Sequence, residues 1–296
     1  MYAALSSRSL MTLAMERPLR CFVPALVEER VEVEVQDEWL SESRKLVTVF
    51  MRLLGLGERL CEVRSLEMLQ AAVMSTQVTA HQYGGQVTRL ICDDKGVRFL
   101  IGFGMPGRSY EDDESRAVLF ALQLQHLLRR MPDYEGRSGE AGGLAAAIGI
   151  TTGVVFCGEA GSSKRREYTL AGARVNVAAR LMQHAAAATD DPNAGPARGG
   201  VLVAAEVQQA VSGRRGGSEL GTTCDFVEVE PIKLKGKDEK ERCFRAVRLT
   251  GKHTDDAMAQ AGGIAIHRRR TNSGAAGSAG GAGAGRVGGL RLPGEH

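Results

Sequence analysis

Between Leu46 and Leu249 the chain alternates short β-branched, apolar runs with segments whose apolar residues recur at helical spacing, and this alternation restricts the fold more than any other feature. Strands interleaved with helices define an α/β or α+β domain, and strand pairs joined by tight turns add an antiparallel component. Residues 20–45 read as a linker helix that enters a buried strand, "LVTVFMRLL", at Leu46–Leu54. From Glu62 to His81, Leu66, Met68, Leu69, Ala72, Val73 and Val78 repeat at helical intervals. "YGGQVTRLICDDKGVRFLIGF" then reads as two strands about an Asp-Asp-Lys-Gly turn. "MPGRSYEDDESRAVLFALQLQHLLRRM" carries acids where a helix begins and two arginines where it ends, matching the helix dipole. After a Gly-rich break at Asp133–Gly143, "GLAAAIGITTGVVFCGEAG" is expected to be a strand, a Thr-Gly turn and a second strand. A loop spans Ala185–Gly200, "VLVAAEVQQAV" reads as strand then helix, and "CDFVEVEPIKLKGKDEKERCFRAVRL" as two strands about a basic turn.

Composition excludes several classes. The 38 basic and 35 acidic residues leave a net charge of +3 without a basic run interleaved with aromatics, so no nucleic-acid platform is expected. The six cysteines show no CxxC spacing and the six histidines no HxxxH pair, which fits a reducing compartment and bland core thiols. No apolar run approaches the ~18 residues of a membrane span. A cytoplasmic location is expected. The first twenty residues, short of acids, admit a targeting reading, but a helical lead-in is the plainer one. From Gly251 the Gly, Ala, Ser and Arg composition cannot bury enough apolar area to offset chain entropy, so a disordered tail is expected.

One stretch carries chemistry. In "EYTLAGARVNVAARL", Glu167–Leu181, a helix starting near Ala173 puts Val175, Ala178, Ala179 and Met182 on an apolar face and Asn176 and Arg180, one turn apart, on the other. An amide and a guanidinium aimed at one point suit a ribose to be oriented and a phosphoryl group gaining negative charge. On spacing alone, an ordinary polar helix face is the plainer reading.

The neighbouring residues extend the pattern. "IGITTGVVFCGEAG" followed by "RREYTLAGARVNVAARLM" resembles the signature of class III nucleotidyl cyclases, and the resemblance runs in order from about Leu40 to Leu249. "DDKGVRFLIGFGMPG" and the Glu-Tyr-Thr entry are most similar to the second cyclase domain of the bicarbonate-responsive soluble adenylyl cyclases. The resemblance implies a ferredoxin-like βαββαβ core with a mainly antiparallel sheet. It also implies a cyclase domain at residues 40–250, after a lead-in at 1–39 and before a tail at 251–296. Position by position, it implies that Asn176 orients the ribose of ATP and Arg180 stabilises the α-phosphate. Thr169 falls where the family reads the purine, and a threonine there favours adenine. Lys237 falls near the triphosphate-binding lysine, and Arg89 stands where an adenine-contacting lysine belongs.

The departures concern metal. The family holds two Mg²⁺ (or Mn²⁺) ions on two aspartates, the first in "FxDI", but this chain reads "FMRL" with Arg52. Asp93 and Asp94 are weak candidates for the second, with a tight-turn role the simpler reading. No metal ligand is therefore expected from this chain. The implied function is half of an adenylyl cyclase site, with a second cyclase domain supplying the aspartates. The alternatives are a catalytically degenerate module that binds nucleotide or regulates a partner by dimerisation, and a guanylyl cyclase, which Thr169 disfavours.

Overall fold

The computed structural model describes residues 41–56, 63–132, 143–162, 165–187, 199–213, 222–233 and 240–251. The expected lead-in, nearly all of the Gly-rich break, most of the Ala185–Gly200 loop, Lys237 and the expected tail beyond Gly251 lie outside them. In chain order the elements are β1 (Glu42–Leu54), α1 (Val63–Gln82), β2 (Gln86–Asp93), β3 (Gly96–Phe103), α2 (Asp113–Arg130), β4 (Ala145–Ser162), β5 (Arg165–Ala171), α3 (Ala173–Ala187), β6 (Gly200–Ala204), α4 (Ala205–Ser212), β7 (Thr222–Lys233) and β8 (Lys240–Gly251).

Among the described residues the strands form one sheet in the order β2-β3-β1-β4-β6-β8-β7, with β5 paired to β4 off that path. The first six elements run β-α-β-β-α-β, and their strands lie side by side as β2-β3-β1-β4, all antiparallel, which is the expected core. The pairing of β4 with β6 is parallel. Strand β1 begins at Glu42, inside the stretch expected to be a linker helix, because β4 continues far enough to pair residues 42–45.

The sheet separates two apolar layers. Val47, Val49, Met51 and Leu53 of β1 pack with Phe99, Ile101 and Phe103 of β3 beneath α1 and α2, while Leu46, Phe50 and Leu54 face α3. Burial on both faces is why β1 reads as an unbroken apolar run. On α1 the residues against the sheet are small or hydroxyl-bearing, including Ser65, Ala72, Thr76 and Ala80, together with Met68. The Thr76 hydroxyl donates back to the Ala72 carbonyl at 2.7 Å, which satisfies it in that dry contact. Leu66 and Val78, expected on the buried face, are 50% and 44% exposed, and the buried positions are Met68 and the small residues instead.

The expected Thr-Gly break in the middle of "ITTGVVF" is absent. Strand β4 runs unbroken for 18 residues and pairs with β1 from Glu42↔Cys157 to Leu54↔Ala145. Gly153 passes through with φ 149°, and its missing Cβ leaves room for the Arg174 side chain, which a Cβ would meet at 2.9 Å. The glycine marks a close approach, not a turn.

Candidate functional site

Helix α3 carries the Asn-Arg pair, and β4 sets its height above the sheet. A Cβ built on Gly149 would stand 2.1 Å from the Ala178 carbonyl oxygen and 2.6 Å from the Met182 nitrogen, so α3 lies directly on the strand backbone. Val175, Val177, Ala178, Leu181 and Met182 are the buried positions over this contact. Ala179, expected among them, is only half-buried, and Val177 and Leu181 take its place because the helix packs on β1 and β6 as well as on β4. The start of α3 is tied down by Arg174. Its guanidinium bonds Glu206 at the start of α4 and Glu241 of β8, the latter at 3.0 Å, and its carbonyl accepts the Thr151 hydroxyl at 3.0 Å. Arg174 therefore has a structural partner set, whereas Asn176 is exposed and Arg180 half-buried on the face turned from the core. Among the described residues neither side chain makes an ion pair or hydrogen bond.

Thr169 sits in β5, opposite Gly158 of β4, and is 7% exposed. Leu170 of β5 packs at Gly102 of β3, where a Cβ would meet the Met105 Sδ at 2.7 Å and the Leu170 Cδ1 at 3.1 Å. That placement brings Glu167 to β2, where its Oε2 accepts a hydrogen bond from Arg89 Nη2 at 2.5 Å. Thr169 is two residues further along β5, on the same side of the strand as Glu167. The structure thus joins Arg89 to the strand of Thr169 through a residue that sequence reasoning did not select. Lys237 lies outside the described residues.

The hairpin tip does not fit a divalent cation. Asp93 accepts the Lys95 N–H at 3.0 Å and pairs with Arg98, which is the tight-turn role. Asp94 is exposed in the turn. Arg52 stands directly across the strand pair from Arg98, and the Nε atoms of both are buried without a hydrogen-bond partner among the described residues. Two neighbouring guanidiniums repel a metal ion, and Arg98 already pairs with the Asp93 carboxylate. Among the described residues no group of three His, Cys, Asp or Glu side chains could hold a metal.

A second polar cluster lies on the α2 side of the sheet, around a cleft of about 560 Å³ lined by Lys45, Tyr110, Asp113, Glu114, Thr152 and Gln209. Asp113 accepts the Tyr110 N–H at 3.0 Å, and the Thr152 hydroxyl donates to Glu114 at 3.1 Å. Burial pushes the Asp113 carboxyl above the usual aspartate range. Arg116 is held at 2.5 Å by the fully buried Asp112 and lies over the Tyr110 ring at 3.9 Å. These contacts fix the start of α2 and the turn before it.

The sequence model of the adenylate and guanylate cyclase catalytic domain matches residues 92–244 of the 296, just over half the chain, and the chain belongs to that family. It is 28% identical over 170 residues to adenylate cyclase type 10 of Rattus norvegicus and to that of Homo sapiens, a match covering 57% of this chain. The chain spans about a tenth of the length of those relatives, 10% in each case. The fold is shared with the adenylyl cyclase CyaB from P. aeruginosa at a TM-score of 0.55 and 20% identity, covering 70% of this chain and 96% of that one. It is shared with a bacterial light-regulated adenylyl cyclase at 0.59 and 18%, covering 88% and 70%, and with the guanylate cyclase domain of RhGC from Catenaria anguillulae, solved with GTP, at 0.52 and 17%, covering 71% and 99%. Domains of this family bind nucleotide, form dimers and use divalent metal ions. Among the described residues no helix is long and apolar enough to cross a membrane.

Proposed function

We propose that this chain supplies one half of an adenylyl cyclase site, converting ATP to 3′,5′-cyclic AMP and pyrophosphate together with a second cyclase domain. The observation that carries the reading is a division of labour. Asn176 and Arg180 are presented outward without partners of their own among the described residues, while Arg52 stands where the family resemblance implies a metal-binding aspartate and Arg98 lies across the strand pair from it. In this reading the 3′-oxygen attacks the α-phosphorus, its proton leaves, and the bond to pyrophosphate breaks. Asn176 holds the ribose so that the attack is in line, and Arg180 stabilises negative charge on the α-phosphate as it develops. Thr169 and Arg89 read the base, and Lys237 contacts the triphosphate. The metal ions enter with the aspartates of the other domain, and no step runs through a metal held here.

Reconstitution tests this. The chain is mixed with an aspartate-bearing cyclase domain and cyclic AMP is assayed with Mg²⁺ or Mn²⁺. Activity above that of the partner alone, lost in Asn176→Ala and Arg180→Ala, is expected. Activity indifferent to both substitutions would sink the proposal.

The second reading is a cyclase-homology module that binds nucleotide or regulates a partner by dimerisation without turnover. Arg52 at the metal position and Arg89 at the base position favour it. Nucleotide binding coupled with silent reconstitution would select it.

A further inference from the structure

The contact between Arg89 and Glu167 depends on an irregularity in β2. Val87 pairs with Ile101 and Arg89 with Leu100, so Thr88 is an extra residue in the ladder. In a regular strand Val87 and Arg89 would share a face, and Arg89 would follow Val87 against the core beneath α1 and α2. The bulge reverses the alternation. Arg89 now stands opposite Leu100, whose side chain belongs to the layer under β5 and α3. The Thr88 hydroxyl donates to the Leu100 carbonyl at 3.0 Å and closes the bulge. On arrival the guanidinium meets Glu167 at 2.5 Å.

We propose that Glu167, working with the Thr88 bulge, is a positioning residue that sets the direction of Arg89 and thereby the purine preference of the site. This rests on the proposed function, in which Arg89 and Thr169 face the base. A lysine is a flexible point charge, whereas a guanidinium is a planar fork whose donors are useful only in one orientation. With one edge held by Glu167, the remaining N–H groups of Arg89 are directed, and a donor aimed at the base edge suits the N1 acceptor of adenine. The N1–H of guanine is itself a donor, so guanine can meet the same N–H only through its neighbouring O6 and only if the guanidinium shifts. Released from Glu167, the arginine can swing and discrimination falls.

The test uses the full chain with an aspartate-bearing cyclase domain, and reads the affinities for N-methylanthraniloyl ATP and GTP together with KM and kcat for both nucleotides. Glu167→Gln should lower the ATP-over-GTP ratio by roughly tenfold, the scale of one oriented hydrogen bond to a charged group, mainly through KM. The reciprocal variant Arg89→Glu with Glu167→Arg restores the ion pair with its polarity reversed. If the pair matters only for packing, this exchange recovers the wild-type preference. If Glu167 aims Arg89, it recovers thermal stability but moves the preference toward GTP, because a carboxylate then faces the base. A ratio within twofold of wild type in Glu167→Gln overturns the inference and leaves the proposed function standing, whereas full recovery of ATP preference in the exchange overturns the inference together with the assignment of Arg89 to the base. Failure of the unmodified pair to bind either analogue overturns the proposed function itself, and the inference with it.

Discussion

Replacing Gly149 by alanine probes how α3 is held. The new Cβ would sit 2.1 Å from the Ala178 carbonyl oxygen, against an ordinary contact that begins at 3.4 Å, so the helix must rise by about 1.3 Å unless β4 bends. Both neighbouring atoms are backbone, and no side-chain rotation relieves the clash. Ala178 lies midway between Asn176 and Arg180, so both are carried along. Overpacking of this kind costs about 1–3 kcal/mol, and each kcal/mol lowers the melting temperature of a domain this size by roughly 2–4 °C. A displacement of about 1 Å at a catalytic group can cost on the order of a hundredfold in rate. The assay is reconstituted cyclic AMP formation with thermal melting in parallel, and Gly200→Ala is the control because a Cβ there meets nothing within 4 Å. Gly149→Ala should melt several degrees lower and lose most activity, while Gly200→Ala changes neither. Equal behaviour of the two variants would refute the claim that β4 sets the helix position.

Further outcomes follow from the other anchors. Arg174→Ala removes the bonds to Glu206 and Glu241, and the loss of charged hydrogen bonds in a half-buried setting should destabilise by about 1.5–3 kcal/mol in denaturant titration. A change within error would mean that α3 is held by its apolar face alone. Asp113 binds its proton more tightly when folded, so stability falls as pH rises from the ordinary value of 3.8 through the raised folded value and stays lowered above it. Asp113→Asn retains an acceptor for the Tyr110 N–H, and its melting temperature should gain on the wild type's as pH rises above the ordinary value of 3.8. A constant difference across that rise would contradict the assignment.

Much of the fold was legible in local pattern. The Asp-Asp-Lys-Gly turn marked the β2–β3 hairpin, acids at Asp113 and Glu114 and bases at Arg129 and Arg130 marked α2, and the Asn176/Arg180 helix began where expected. What escaped depends on distant partners. Gly153 reads as a turn residue in isolation, and only the 13-residue pairing with β1 and the Arg174 side chain explain why β4 passes straight through it. Leu66 and Val78 have core chemistry, yet α1 turns Met68 and its small residues inward and leaves these two exposed. In the site, Arg52 and Thr169 could be named from their place in the motifs. Glu167 could not, because its tie to Arg89 spans 78 residues and depends on the Thr88 bulge. A register shift of one residue leaves no mark in composition or period.

The central claim is that this chain and a second cyclase domain each hold part of one site. It is tested most directly by titrating the chain into a fixed amount of an aspartate-bearing cyclase domain and following cyclic AMP. The account predicts a rate near zero for this chain alone and a rise that saturates near one chain per partner. It also predicts that Arg180→Ala in this chain abolishes the rise without changing the stoichiometry of binding. Cyclic AMP formation by this chain alone, or a rise unaffected by Arg180→Ala, would contradict it.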